Sequence, residues 1–257
     1  MLVALIATAS ANAAVITWSA PRTIVDDLDV STDGALVVAH NLGSFDNPSA
    51  MVNGVTFTPF VTSTPVNTTG NVTLSAATTV FGRNTGFGEI FGPFAALSTD
   101  YQALLESASF TGSATAGAAP AMISLALNGL TPGAQYQFQW WANQSDPASF
   151  DPLAPAPAVP FTTATAGNSV TLNRTGFGPD NIGQFALGVF TADASASQAI
   201  TFAGPAPRNL VNAFQLRQLN APTVPEPGSC IFGFALAGFV FRSASCRHRT
   251  RIHSLVK

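Results

Sequence analysis

The sequence predicts an all-β sandwich that carries a single short helix. Three observations lead there. Nine short runs are apolar or alternate apolar with polar residues, and Gly, Pro, Asn and Asp punctuate them. Only one segment has the start signals and spacing of a helix. The stretch 14–223, about 210 residues, is long enough to bury one sizeable core without cross-links, and both cysteines, Cys230 and Cys246, lie outside it.

In chain order the expected strands are Ala35–His40, Val52–Phe60, Val72–Phe81, Met122–Leu127, Gln135–Trp141, Ser169–Asn173, Gln184–Thr191, Gln198–Phe202 and Leu210–Leu219. Between the third of these runs and the fourth, Thr99 and Gln102 have capping-box spacing, Asp100 sits in the first turn, and Tyr101, Leu104 and Leu105 share a face. A helix is therefore expected over Thr99–Ser107. Thr131, Pro132 and Gly133 make a turn between two strands. Asp151–Pro160 holds Pro152, Pro155, Pro157 and Pro160, so it reads as an extended surface strap and not as a central strand. Thr85–Gly88 and Thr175–Gly178 both read TGFG, two glycine turns each with a phenylalanine to anchor it.

The two ends read as addresses. Leu2–Ala9 is an apolar stretch of the length of a signal-peptide h-region, and Ala11, Asn12 and Ala13 give the small-x-small pattern for cleavage after Ala13. No Lys or Arg precedes it, so either translation starts upstream of Met1 or the Met1 amine supplies the only positive charge. At the other end, Val224, Pro225, Glu226 and Pro227 precede an apolar run ending at Phe241, followed by Arg242, Arg247, Arg249, Arg251 and Lys257. The 14 residues of Gly228–Phe241 would make roughly 21 Å of helix against a hydrocarbon core of about 30 Å, a short span that Arg242 can extend by snorkelling. Positive charge after the run keeps the tail cytoplasmic and places the preceding residues outside.

The order VPEP, short apolar helix and arginine-containing tail resembles the PEP-CTERM sorting signal of Gram-negative bacteria. Its arginines are more widely spaced here than in the usual tight run. The resemblance implies three parts: a signal peptide over 1–13, an ectodomain over 14–223, and a sorting segment over 224–257 with a C-terminal transmembrane helix. It further implies recognition at Pro225, Glu226 and Pro227 by an exosortase-type sorting peptidase. Inner-membrane anchoring would be transient, and the chain would end at the cell surface or outside the cell. The segments Asp29–Gly34 (DVSTDG), Val52–Phe57 (VNGVTF), Leu127–Trp141 (LNGLTPGAQYQFQWW), Gln184–Phe202 and Asn212–Arg217 (NAFQLR) resemble the ectodomains joined to this signal in planctomycete and verrucomicrobial proteins. That second resemblance implies a jelly-roll-like sandwich and no assigned activity. Relatives in which the strand at Gln137–Trp141 is followed by Asp and Arg differ from this chain, which continues Asn143, Gln144, Ser145, Asp146.

Composition excludes several functions. Residues 14–223 hold twelve acidic side chains against five arginines, a net charge of −7, so they offer no basic patch to nucleic acid. His40 is the only histidine there and cysteine is absent, which removes catalytic triads and zinc sites built on paired histidines. Glu89 and Glu106 are the only glutamates in that stretch, and nothing in the sequence pairs them for glycoside hydrolysis. No cofactor is implied. Asp26, Asp27, Asp29 and Asp33 form the densest acidic cluster, from which Asp27, Asp29 and Asp33 are candidate calcium ligands beside the alternative of a solvated turn.

The period of a strand sends Tyr136, Phe138 and Trp140 to one face and Gln137, Gln139 and Trp141 to the other. An indole beside two amides is a candidate platform for a neutral polysaccharide, unless the proline strap covers it. Three functions follow: a non-catalytic surface or matrix protein that grips polysaccharide, a purely structural adhesin-like protein, and a glycan-active enzyme. An exposed Trp141 would favour the first, a covered one the second, and a cleft with two close carboxylates the third.

Overall fold

Alternation of apolar and polar residues over short runs drives this chain into sheets. The structure, a computed structural model, describes residues 14–88, 92–112, 122–145, 161–174, 182–204 and 208–219. The signal-peptide positions Ala11 and Ala13, the strap Asp151–Pro160, the second TGFG turn, and Val224, Pro225, Glu226, Pro227 and Arg242 of the sorting segment lie outside the described residues.

Seventeen strands are described: β1 (Thr17–Trp18), β2 (Arg22–Thr23), β3 (Ala35–Gly43), β4 (Ala50–Val52), β5 (Val55–Val61), β6 (Val66–Thr69), β7 (Val72–Ala76), β8 (Phe81–Arg83), β9 (Ala108–Gly112), β10 (Ile123–Asn128), β11 (Gln135–Ala142), β12 (Phe161–Ala166), β13 (Asn168–Asn173), β14 (Gln184–Thr191), β15 (Ser197–Ala203), β16 (Arg208–Val211) and β17 (Ala213–Gln218). Two helices, α1 (Gly92–Ala95) and α2 (Thr99–Glu106), and a 3-10 turn over Asp27–Asp29 complete the set. The first sheet runs β1-β14-β11-β17-β3-β5-β4, with β2 also on β14. Its pairs are antiparallel except β3 with β5. The second runs β13-β12-β15-β10-β7-β6, antiparallel throughout. A small third sheet orders β16-β9-β8.

The two large sheets face each other across the main core. Phe138, Trp140, Phe214 and Leu216 from the first meet Leu125, Leu127, Ile200 and Phe202 from the second; Trp140 and Phe202 lie 5.0 Å apart between ring centroids. The all-β sandwich is thus observed. The other face of the first sheet carries a second apolar cluster: Phe57, Trp141, Phe185 and Ala213 beneath Tyr101, Leu104 and Leu105 of α2. One sheet therefore backs two cores.

Several elements differ from expectation for local reasons. Asn53 and Gly54 both adopt positive φ, 49° and 74°, so the expected strand Val52–Phe60 breaks into a two-residue hairpin between β4 and β5. The run Val72–Phe81 ends at Ala76 and resumes as β8. Strands β6, β9 and β12 lie in segments where threonine, serine and alanine replace the aliphatic residues that mark a strand most clearly, and β1 and β2 are only two residues long. The helix is capped by Ser98, not Thr99. The Ser98 hydroxyl accepts from Tyr101 N at 3.2 Å, while Gln102 donates to the carbonyls of Leu97 and Ala95 at 2.8 and 3.2 Å and closes no capping box.

Candidate functional site

On the second-core side of β11, the three candidate platform residues have unequal fates. Trp141 has no solvent exposure. Phe57 meets its ring edge-on at 5.6 Å and Phe185 stacks at 6.4 Å, and its indole N–H donates to the Tyr101 hydroxyl at 2.9 Å. Gln139 is also fully buried. Neither side chain can meet a sugar, so of the candidate platform Gln137, Gln139 and Trp141 only the half-buried Gln137 reaches the surface. The described cover over Trp141 includes α2, since Tyr101 hydrogen-bonds the indole.

Gln139 instead fastens backbone. Its Oε1 accepts from Ser31 N at 2.9 Å and from Gln215 Nε2 at 2.7 Å, and its Nε2 donates to Asp29 O at 2.6 Å. Gln215 donates to Ser31 O at 3.0 Å. Arg217 completes the clamp, with Nε on Asp33 O at 2.9 Å and one terminal nitrogen on Thr32 O and Gly34 O at 3.0 and 2.8 Å. Asn53 reaches across from the β4–β5 hairpin to Val30 O at 2.8 Å. Four of the segments singled out in the sequence, Asp29–Gly34, Val52–Phe57, Leu127–Trp141 and Asn212–Arg217, thus meet in one polar junction. Gly34 belongs to it by necessity: its φ is +76°, and a Cβ there would stand 2.3 Å from Gln218 O.

The acidic cluster closes the same junction without forming a metal cage. Asp29 accepts from Val25 N at 2.6 Å and Asp26 N at 3.1 Å, Asp26 accepts from Leu28 N at 2.8 Å, and Asp27 accepts from the Ser98 hydroxyl at 2.6 Å. These are turn and tether contacts. Burial raises the Asp29 carboxyl above its ordinary value, and the two backbone N–H groups only partly offset that. Among the described residues no three His, Cys, Asp or Glu side chains gather as a metal could require, so Asp27, Asp29 and Asp33 are not brought together as calcium ligands.

Sequence reasoning gave no role to a second junction. Asn212 Oδ1 accepts from Asn143 N at 2.6 Å, and its Nδ2 donates to Leu105 O and Ser107 O, both at 2.8 Å. Asn143 ties in Phe87 O and Gly183 N at 2.8 and 2.9 Å. Phe87, the anchor of the first TGFG turn, is fully buried. Asn and Gln repeated in strands that otherwise read as apolar, or directly at their ends, are the signal that would have found both junctions.

Hollows open on the surface among the described residues. One, of about 410 Å³, is bordered by Arg22, Asp29, Ser31, Asp33, Asn53 and Gln137. Another, of about 290 Å³, lies beside Val37, His40, Val72, Leu127 and Leu216. His40 is 4% exposed, and burial lowers its pKa from the ordinary 6.5. Its Nδ1 lies 3.2 Å from Thr58 O and 3.1 Å from Thr58 Oγ1. Neither hollow joins two glutamates, since Glu106 borders neither and Glu89 lies outside the described residues.

No family model matches the chain, and no curated protein matches it. Two solved structures are similar in part. The enzymatically active domain of bacteriophage CBA120 tailspike protein 4 is 16% identical with a TM-score of 0.34, over 58% of this chain and 20% of that one. A carbohydrate-binding module of promiscuous specificity from the β-sandwich superfamily is 15% identical with a TM-score of 0.15, over 78% of this chain and 97% of that one. The chain thus spans only a fifth of the tailspike domain.

Proposed function

We propose that the chain is an exported, non-catalytic protein of the cell surface or extracellular matrix, in which a jelly-roll-related sandwich over 14–223 is a structural, adhesin-like module. The burial of Trp141 and Gln139 carries the structural part. Gln139, which would line a binding face, holds the backbone of Asp29 and Ser31 instead, and Trp141 packs beneath α2. The sorting part rests on the order of Val224, Pro225, Glu226 and Pro227, the apolar run and Arg242, and it makes an exosortase-type peptidase and, transiently, the inner membrane the partners. Calcium has no part in this reading. The surrounding polymer would be neutral polysaccharide, because a stretch of net charge −7 repels polyanions at low salt.

Mass spectrometry of the mature protein from envelope and medium tests the sorting half. The tail after the sorting motif should be missing, and Glu226→Ala should leave precursor in the inner membrane. Mature protein still carrying Arg247–Lys257 would reduce the segment to a plain anchor.

A further inference from the structure

The outward face of the second sheet is lined mainly by short, uncharged side chains. Along its six strands, Ala164, Ile200, Leu125 and Leu74 point into the core, and the alternation sends out mainly short hydroxylated or methyl side chains, with Phe161 and, beside Ser75, Val66 as exposed apolar residues at the edges. Register then aligns them. Ser169 lies beside Thr165, Thr165 beside Thr201, Thr201 beside Ser124, and Ser124 beside Ser75, a row of five hydroxyls across five strands. Next to it run Ala199, Ala126, Thr73 and Thr68. The six strands contain no Asp, Glu, Lys or Arg at all, although charged residues make up about a quarter of ordinary soluble domains.

Such a face selects its partner by what it lacks. It has no charge to attract a polyelectrolyte of either sign. Each hydroxyl both donates and accepts, and alanine and threonine methyls supply apolar contact between them. Short side chains also have little rotamer freedom to lose. At strand spacings of about 4.8 Å the row is roughly 19 Å long, the scale of a few sugar units. The sheet twists by about 20–25° per strand, so a rigid planar lattice meets only part of it, whereas a polymer chain can follow the row. A second copy of this chain fits less well. The face measures roughly 500 Å² from strand spacing and rise, short of the about 800 Å² per partner of a standard protein interface.

We propose that this row, centred on Ser124 and Thr201, docks a single chain of neutral polysaccharide. The proposal rests on the matrix-protein reading above and gives it a surface, distinct from the buried Trp141 side of the first sheet. The test is binding of full-length protein in mild detergent to a soluble linear neutral glucan, with alginate as polyanion and chitosan as polycation. Glucan should bind with an affinity that is unchanged when salt is raised tenfold. Ser124→Lys or Thr201→Lys, each outward-facing, should weaken it by roughly tenfold or more through a lost hydroxyl contact and an intruding charge. Ser124→Thr should retain binding, as should Gln135→Lys on the other sheet. Equal binding by the Lys variants, preference for alginate or chitosan, or no glucan binding would overturn the proposal. Concentration-dependent dimerisation abolished by Ser124→Lys would also overturn it, assigning the face to a second copy. Failure of tail removal in the host would undo the sorting reading and leave this result standing.

Discussion

At the scale of single residues, Gln139 shows how a polar side chain in a strand can be read two ways. An amide next to a tryptophan has the chemistry to hold a sugar, and the period of two correctly groups Gln137, Gln139 and Trp141. What periodicity does not contain is the long-range partner: Ser31 and Asp29 lie 108 and 110 residues away in sequence. Replacing Gln139 by Leu strands Ser31 N–H, Asp29 C=O and the Gln215 amide, and each buried group left without a partner costs about 1–3 kcal/mol. Urea unfolding should therefore show a loss of about 3 kcal/mol or more, while a loss under 1 kcal/mol would mean that the clamp contributes little. His40 gives a pH-dependent counterpart. Its pKa is lowered on folding, mainly by burial between the edges of Phe60 and Phe214. Below 6.5 the unfolded chain therefore binds more protons, and stability falls as pH drops through that value towards the folded pKa. His40→Gln should flatten the stability profile in that window; an unchanged slope would assign it to another group.

At the scale of elements, legibility followed side-chain type. Runs rich in aliphatic and aromatic residues, such as β11, β14 and β17, were visible because burial on a pleated sheet requires that pattern. Threonine-rich β12 and β6 were not, since FTTATA and VNTT bury small residues and expose hydroxyls. The Asn53–Gly54 hairpin was legible in principle, because both positions need positive φ and the pair is the commonest answer. The helix was found but its cap was misplaced by one residue. Ser98 and Thr99 are chemically alike, and only backbone geometry tells which sits outside the first turn: Ser98 has ψ of 152°. Ser98→Ala should cost about 1 kcal/mol for the lost cap, and rather more here, because the same hydroxyl donates to Asp27. Thr99→Ala should cost less than half as much. Equal effects in thermal unfolding would restore Thr99 as the cap.

At the scale of the whole molecule, the second core is what a sandwich reading of the sequence did not anticipate. An ordinary two-sheet sandwich has one core, with the outer faces in water. Here β11 sends Phe138 and Trp140 into the main core and Trp141 into the cluster under α2, so its two adjacent tryptophans report on opposite sides of one strand. Neither cluster can lose its packing without exposing the strand that the other is built on. The two cores should therefore unfold together. Trp140→Ala and Trp141→Ala should each cost about 3–5 kcal/mol, the range for emptying a large aromatic site. In each variant, urea unfolding followed by the remaining tryptophan fluorescence should coincide with far-UV circular dichroism in a single transition. If Trp140→Ala, in which Trp141 still reports on the α2 side, instead produced an early transition that moved fluorescence and left the strand signal intact, α2 and its cluster would be a separable cover, and the outer side of the first sheet could open independently of the main core.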